Sequence, residues 1–317
     1  MKIFLTGATG FVGRAIANKL SKSRKIDLVV VLRKNYGELP KNVEIYNIPG
    51  LSSNTDFYNA LVGVDVVIHS AAHAHVMHDI RVNETDYMRE VNVLATLNLA
   101  RQSVAAGVKR FIFISSIKVN GEFTFVGKPF MASDQPAPND PYAVSKFEAE
   151  MGLHKIALDS GLEVVIVRPP LIYGPGVKAN FASLLRWVSF GVPLPFGAIN
   201  NNFRSLVSLE NLVDFVNICV IHPAAAGQTF LVSDGEDVST SELLRLVAKA
   251  MDKKIFLFPI PVDSLELFAL LIRKKTLFLR LCNSLQVDIE KNLSLLGWSP
   301  PFTLEQGIKR TVEGLEW

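Results

Sequence analysis

Met1-Lys2-Ile3-Phe4-Leu5-Thr6-Gly7-Ala8-Thr9-Gly10-Phe11-Val12-Gly13-Arg14-Ala15 opens the chain, and its reading decides the fold. A short apolar strand runs into three glycines spaced three apart, and helical spacing follows. Gly7 lets the chain turn off the strand, Gly10 lets backbone N–H groups approach a pyrophosphate, and Gly13 lets the helix lie close to the strand. The pyrophosphate then sits at a helix N-terminus, where unpaired N–H groups and the helix dipole both favour negative charge. Glycines alone are a weak signal; strand, turn and helix in this order make a dinucleotide cradle.

Outward from that cradle, strand-like apolar runs recur at Asp27–Leu32, Val43–Asn47, Val66–Ser70, Arg110–Ser115 and Glu163–Arg168. Helical patterns fall between several of them, at Val12–Ser21, Asp86–Ala106 and Pro141–Ser160. Alternation of this kind with near-continuous apolar strands predicts an α/β chain built on a doubly wound, Rossmann-type parallel sheet covered on both faces. After Arg168 the pattern shifts to segments punctuated by Pro169, Pro170, Gly174, Pro175 and Gly176, then to helices such as the one capped by Ser239 with Glu242 three residues on. The expected division is a dinucleotide-binding domain of residues 1–169 with about 201–233, and a smaller C-terminal substrate lobe of 170–200 with about 234–317.

Composition excludes several classes. At 317 residues and 49% hydrophobic the chain can bury a large core, and a formal charge of +3 without a dense basic run argues against nucleic acid as a partner. Cys219 and Cys282, the two cysteines, have no metal-ligand spacing and suit a reducing compartment. The first strand begins at the N-terminus and carries no secretory h-region, so the expected location is the cytoplasm. Val262–Leu281 is the most apolar stretch, but Asp263, Glu266, Arg273, Lys274, Lys275 and Arg280 interrupt it. It is therefore expected to form paired amphipathic helices and not a membrane span. A sharper alternative has this basic, apolar face rest peripherally on a bilayer.

The chemistry gathers around two later segments. Phe113-Ile114-Ser115-Ser116 delivers Ser116 to the carboxyl edge of the sheet, where such sheets bind ligands. Asn139-Asp140-Pro141-Tyr142-Ala143-Val144-Ser145-Lys146 starts a helix, with Asp140 as N-cap and Pro141 at the first helical position. Tyr142 and Lys146, four apart, then share a face. A phenol with a reference pKa of about 10 is a poor acid–base group, and a neighbouring ammonium is expected to bring it toward neutrality. With Ser116 on the substrate oxygen, the set suits a proton on a carbinol or carbonyl while hydride moves at the adjacent carbon.

Together these segments resemble the extended short-chain dehydrogenase/reductase family, in its nucleotide-sugar epimerase and dehydratase group. Thr6–Gly13 resembles the family's cofactor loop, implying contacts from Gly7, Thr9, Gly10, Phe11 and Val12. His69-Ser70-Ala71-Ala72 resembles the fourth-strand motif that walls the adenosine side, bringing in Ala71 and Ala72. Asn92 matches a helix residue that supports the site, and Ser116, Tyr142 and Lys146 match the catalytic set. Pro169 and Leu171, within Arg168–Pro175, match the segment that brackets the nicotinamide. The resemblance also implies a UDP-sugar site: Asn180 on the nucleotide-sugar, Leu194 and Phe196 in the uracil loop, Arg204 on the diphosphate, and Arg280 as a second phosphate contact. A homodimer is the expected assembly. His73, His75 and His78 cluster after the fourth strand, but without a clear further ligand no metal is expected.

One departure bears on the reaction. Where an acidic residue would select NAD, this chain has Arg33 and Lys34, which favour NADP(H) over NAD(H). Ser115-Ser116-Ile117-Lys118 lacks the acidic neighbour that dehydratases use, and Lys118 adds a substrate contact where epimerases carry a smaller residue. The expected activity is thus an NADPH-dependent 4-ketoreductase of a UDP-linked 2-acetamido hexose, serving bacterial surface polysaccharide. The alternatives are a UDP-hexose 4-epimerase with bound NAD, and a non-catalytic dinucleotide-binding scaffold.

Overall fold

The computed structural model describes residues 1–33, 39–73, 84–271, 273 and 275–315. The first half alternates as expected: β1 (Lys2–Thr6), α1 (Phe11–Leu20), β2 (Asp27–Leu32), β3 (Glu44–Asn47), α2 (Tyr58–Leu61), β4 (Val66–His69), α3 (Glu84–Arg89), α4 (Ala95–Ala105), β5 (Arg110–Ile114), α5 (Pro141–Ser160) and β6 (Glu163–Arg168). The chain then contributes β7 (Leu171–Tyr173), α6 (Ala179–Ser189), β8 (Arg204–Ser208) and α7 (Leu209–Ile221) before returning for β9 (Thr229–Leu231). It finishes with β10 (Asp237–Val238), α8 (Thr240–Ala250), α9 (Val262–Leu271), α10 (Lys275–Cys282), α11 (Glu290–Leu296) and α12 (Leu304–Glu313).

The main sheet has seven parallel strands in the order β3-β2-β1-β4-β5-β6-β9, and a second sheet orders β10-β8-β7. Strand side chains alternate faces, so Ile3 and Leu5 join α1 and α7 in one apolar cluster while Phe4 joins α4 and α5 in the other. A third cluster, with Tyr173, Phe181, Leu206, Leu244 and Ile308, gathers α6, α8 and α12 against β7 and β8. Helix α5 runs over the residues its cap predicted: the Asp140 carboxylate accepts from the Ala143 N–H at 2.7 Å, and Gly161 closes the helix at φ 77°.

Two features differ from the sequence reading. Asp86–Ala106 is not one regular helix, because residues Glu90–Leu94 form a π turn in which the Ala95 N–H reaches back to the Glu90 carbonyl. That extra residue shifts the phase of everything before it, which apolar periodicity does not reveal. The short strands β7 to β10 are a second difference. At two to five residues each, they pair only because the rest of the chain brings them together. The apolar stretch at Val262–Leu281 does form two helices, α9 and α10. Among the described residues, no helix is long and apolar enough to cross a membrane.

Candidate active site

The cradle is defined by what cannot fit in it. A Cβ on Gly7 would lie 2.7 Å from the Ala71 nitrogen and 2.8 Å from Ser70 Oγ, and Gly7 sits at φ 77°. One on Gly13 would lie 2.1 Å from the Gly7 carbonyl oxygen. Gly10 donates its N–H to that oxygen at 2.8 Å and forms the N-cap of α1, which no side chain among the described residues caps. The first turn of α1 is therefore free to receive an anion, so the residues present fit a dinucleotide pyrophosphate. Thr9 and Gly10 are exposed at the turn, Phe11 and Val12 are half-buried behind it, and Arg33 is exposed just past the end of β2. Lys34, His75 and His78 lie outside the described residues.

Beside the cradle, Ser70 Oγ donates to the Thr6 carbonyl at 2.7 Å, fixing the start of the Ala71-Ala72 wall against β1. Asn92, fully buried in the π turn, uses its whole amide. Its Oδ1 accepts from the His73 N–H at 2.7 Å, while its Nδ2 donates to the His73 carbonyl at 2.9 Å and to Ser145 Oγ at 3.0 Å. Ser145 in turn donates to the Tyr142 carbonyl at 2.8 Å, which ties the π turn to the first turn of α5. Ser116 follows β5 by two residues and is half-buried, its Oγ accepting from the Lys118 N–H at 3.3 Å. The Pro169 carbonyl accepts from the Ile117 N–H at 2.9 Å, which sets the segment carrying Leu171 against Ser116.

Electrostatics run against one expectation. Tyr142 is not drawn toward neutrality: burial, helped by the Asp140 charge, pushes its phenol up to about 12. Lys146 is buried with its ammonium 4.0 Å from the centre of the Phe113 ring, and burial lowers it to about 7 despite the opposing Glu150 charge. Loss of hydration disfavours the charged form of both groups, an effect invisible in their spacing.

Around the N-cap of α5, basic side chains act on Asp140. Lys118 Nζ pairs with its carboxylate. Burial alone would raise that carboxyl, but the bonds from Lys118 and Ala143 and the charges of Lys118 and Arg280 hold it below the usual carboxylate range. Arg204 is lowered to about 10 by burial and by the Arg280 charge, and one of its nitrogens donates to the Asn283 carbonyl at 3.0 Å. The fold thus brings Lys118 and Arg280 within electrostatic reach of the helix that bears Tyr142, and Arg204 within reach of Arg280. Phe196 is half-buried, its ring 5.8 Å from Trp187, and links two apolar clusters. Leu194 is buried and pairs its backbone with Phe256 and Phe258. The Asn180 side chain lies outside the described residues.

Sequence reasoning missed the groups beneath the site. Glu150, one turn beyond Lys146, is buried and takes Arg168 at 3.0 and 2.5 Å along with Ser115. Arg168 also donates to Asn120 Oδ1 at 2.9 Å, so the buried ion pair is fully bonded. Phe113 and His69 are the others. The signal available was an Arg, a Glu and a His inside otherwise apolar patterns, which require buried partners. Among the described residues no three His, Cys, Asp or Glu side chains gather to hold a metal.

A family model described as NAD dependent epimerase/dehydratase family matches residues 3–228. A UDP-glucose 4-epimerase of Vibrio cholerae is 50% identical over 311 residues, covering 98% of this chain and 94% of the relative. The UDP-glucuronic acid 4-epimerase of Bacillus cereus, solved in complex with NAD, has a TM-score of 0.79 at 20% identity and covers 99% of this chain and 98% of its own. The UDP-glucose 4-epimerase of Thermotoga maritima, solved with UDP-glucose, has a TM-score of 0.77 at 23% identity over the same shares. These two solved structures establish the likeness of fold.

Proposed function

This chain belongs to the NAD dependent epimerase/dehydratase family, and we propose that it is the enzyme that interconverts epimers at C4 of a UDP-linked hexose or 2-acetamido hexose. The observation that carries this reading is the 50% identity, over 98% of the chain, to a UDP-glucose 4-epimerase. The cradle of Gly7, Thr9, Gly10, Phe11 and Val12, the wall of Ala71 and Ala72, and Lys146, Pro169 and Leu171 would hold the dinucleotide. When bound, its nicotinamide supplies the acceptor and donor of a hydride at C4.

The chain's own residues handle the proton and the charge. Tyr142 exchanges a proton with the C4 oxygen, and Ser116 Oγ donates a hydrogen bond to the same atom. At neutral pH the raised phenol is protonated, the form that returns a proton to a developing C4 oxyanion. The opposite direction needs the phenolate, and a protonated Lys146 is the cation that favours it; its value of about 7 leaves both forms accessible. Arg204 and Arg280 bind the diphosphate, a role suited to guanidinium groups. Lys118, drawn from Asp140, contacts the sugar, while Asn180, Leu194 and Phe196 frame the uridine.

Arg33 favours a second reading. Exposed where the adenosine ribose would lie, it suits a 2′-phosphate and hence an NADPH-dependent 4-ketoreductase serving surface polysaccharide. Incubating purified protein with UDP-glucose or UDP-N-acetylglucosamine without added coenzyme decides between them. New C4 epimer by NMR supports epimerase; no epimer, with NADPH consumed on a UDP-4-keto-6-deoxy hexosamine, supports reductase. Failure of both leaves a dinucleotide-binding scaffold. The same reading assigns residues 1–169 with about 201–233 to the dinucleotide and the remainder to the sugar. It includes a cytoplasmic homodimer, supported by Val144, Met151 and Leu158 exposed seven apart on α5. Exposed Leu267, Phe268, Leu270 and Leu271 on α9 support peripheral contact with a membrane.

A further inference from the structure

His69 ends β4 and is fully buried, and no step above uses it. Each ring nitrogen meets a threonine hydroxyl: Thr6 Oγ1 lies 2.6 Å from Nδ1, and Thr96 Oγ1 lies 2.9 Å from Nε2. The hydroxyls decide the tautomer. Thr96 has one hydrogen and donates it to the Asn92 carbonyl at 2.8 Å, so toward the ring it can only accept, and the ring proton sits on Nε2. Nδ1 of the neutral ring must then accept, and Thr6 donates to it. The Thr6 oxygen accepts in its turn from the Ala71 N–H at 3.4 Å. Every donor points the same way, from the Ala71 wall through the end of β1 and the imidazole to the π turn.

Both ends of this relay are placed where the chemistry is. Thr6 precedes Gly7 of the cradle. Asn92 clamps the His73 backbone and, through Ser145, the first turn of α5 that carries Tyr142. The imidazole also stacks on Phe113 at 5.8 Å and an interplanar angle of 13°, and that ring meets the Lys146 ammonium. Burial and the Lys146 charge lower His69 to about 3, so a second ring proton does not disturb the arrangement near neutrality.

We propose that His69 is a positioning residue: held as its Nε2–H tautomer, it aligns the dinucleotide turn at Thr6 and Gly7 with the π turn that carries Asn92. This rests on the reading of the site as one that binds a dinucleotide and reacts at Tyr142.

Two substitutions separate the ends of the relay. His69→Asn keeps an acceptor near Nδ1 for Thr6 and removes the donor to Thr96, whereas His69→Gln keeps a donor near Nε2 and removes the acceptor. H69N should hold NAD within about twofold of the parent while kcat for UDP-glucose falls about tenfold or more. H69Q should show the reverse, with NAD affinity down about tenfold and kcat reduced less than in H69N. Ring-nitrogen NMR of the parent, assigned by the signals each variant loses, should give a pyridine-type Nδ1 and a pyrrole-type Nε2, unchanged across about pH 6 to 8. A protonated Nδ1 would overturn the proposal. So would two variants that lose NAD affinity and kcat in equal proportion alongside a lower Tm, since that pattern marks a residue that only fills space. The tautomer and the NAD titration need no sugar, so a parent protein that turned over no UDP-sugar would sink the proposed activity while those two measurements still decided the role of His69.

Discussion

The proposed dinucleotide end and the proposed sugar end of the site hold their residues by different means. At the first, exclusion and short bonds leave no freedom: glycines whose Cβ positions are already filled, an asparagine with its whole amide engaged, and a histidine fixed between two threonines. At the second, charge does the organising: Lys118 and Arg280 act on the Asp140 carboxylate, Arg204 feels the Arg280 charge, and Arg280 is itself exposed. A rigid cradle suits a coenzyme that is the same in every turnover. A charged set with an exposed arginine would suit a diphosphate that must enter and leave.

The largest test acts where the two ends meet. Tyr142→Phe should reduce C4 turnover by roughly a hundredfold to ten-thousandfold, the usual contribution of a positioned acid–base group, while NAD binding followed by fluorescence titration is retained. If turnover survives, the proton moves through some other group and the meeting point lies elsewhere.

Lys146→Met addresses the strain on the rigid side. The folded value of about 7 lies well below the roughly 10.4 of an unfolded chain, so between these values the unfolded state binds more protons. Stability of the parent therefore rises with pH across that window, and burial of the ammonium costs most at and below its lower edge. The variant should be more stable by roughly 2–4 kcal/mol at neutral pH in urea unfolding, with the gain shrinking toward about pH 10, and should be inactive. A variant less stable at neutral pH would show that the Phe113 contact outweighs desolvation.

Sterics are sharpened by a pair of substitutions at the cradle. Gly13→Ala, 2.1 Å from the Gly7 oxygen, should cost roughly 2–4 kcal/mol and most of the NAD affinity. Gly10→Ala, 3.2 Å from the same oxygen, should cost about 1 kcal/mol or less. Equal effects would mean that the turn yields. The smallest change is expected at the other end, where Arg204→Ala should raise KM for UDP-glucose about 10- to 100-fold and leave NAD affinity alone. A matching loss of NAD affinity would erase the distinction between the two ends.

The same contrast explains what could be read in advance. The cradle, the cap at Asp140 with Pro141, and six of the seven parallel strands are local: a few neighbouring residues contain the whole reason for each. The π turn is not local in that sense, because Glu90-Val91-Asn92-Val93-Leu94 has ordinary helical residues and the extra residue pays off only once Asn92 reaches His73 and Ser145. The phenol of Tyr142 departs from expectation because spacing places a lysine one turn away but says nothing of the loss of water that raises the phenol. Arg204 and Arg280 stand 76 positions apart in the chain, and the interaction between them emerges only once the fold is assembled.

The excursion of the chain between β6 and β9 has a consequence for anyone recombining such proteins. The seventh strand of the main sheet and α7, which packs with α1, are both made after the chain has already built β7, α6 and β8. A chimera with one crossover point would carry the outermost strand along with whatever lies downstream of it. Transplanting α6 together with α8 to α12, with α7 and β9 left behind, therefore takes two separate inserts with residues of the recipient between them.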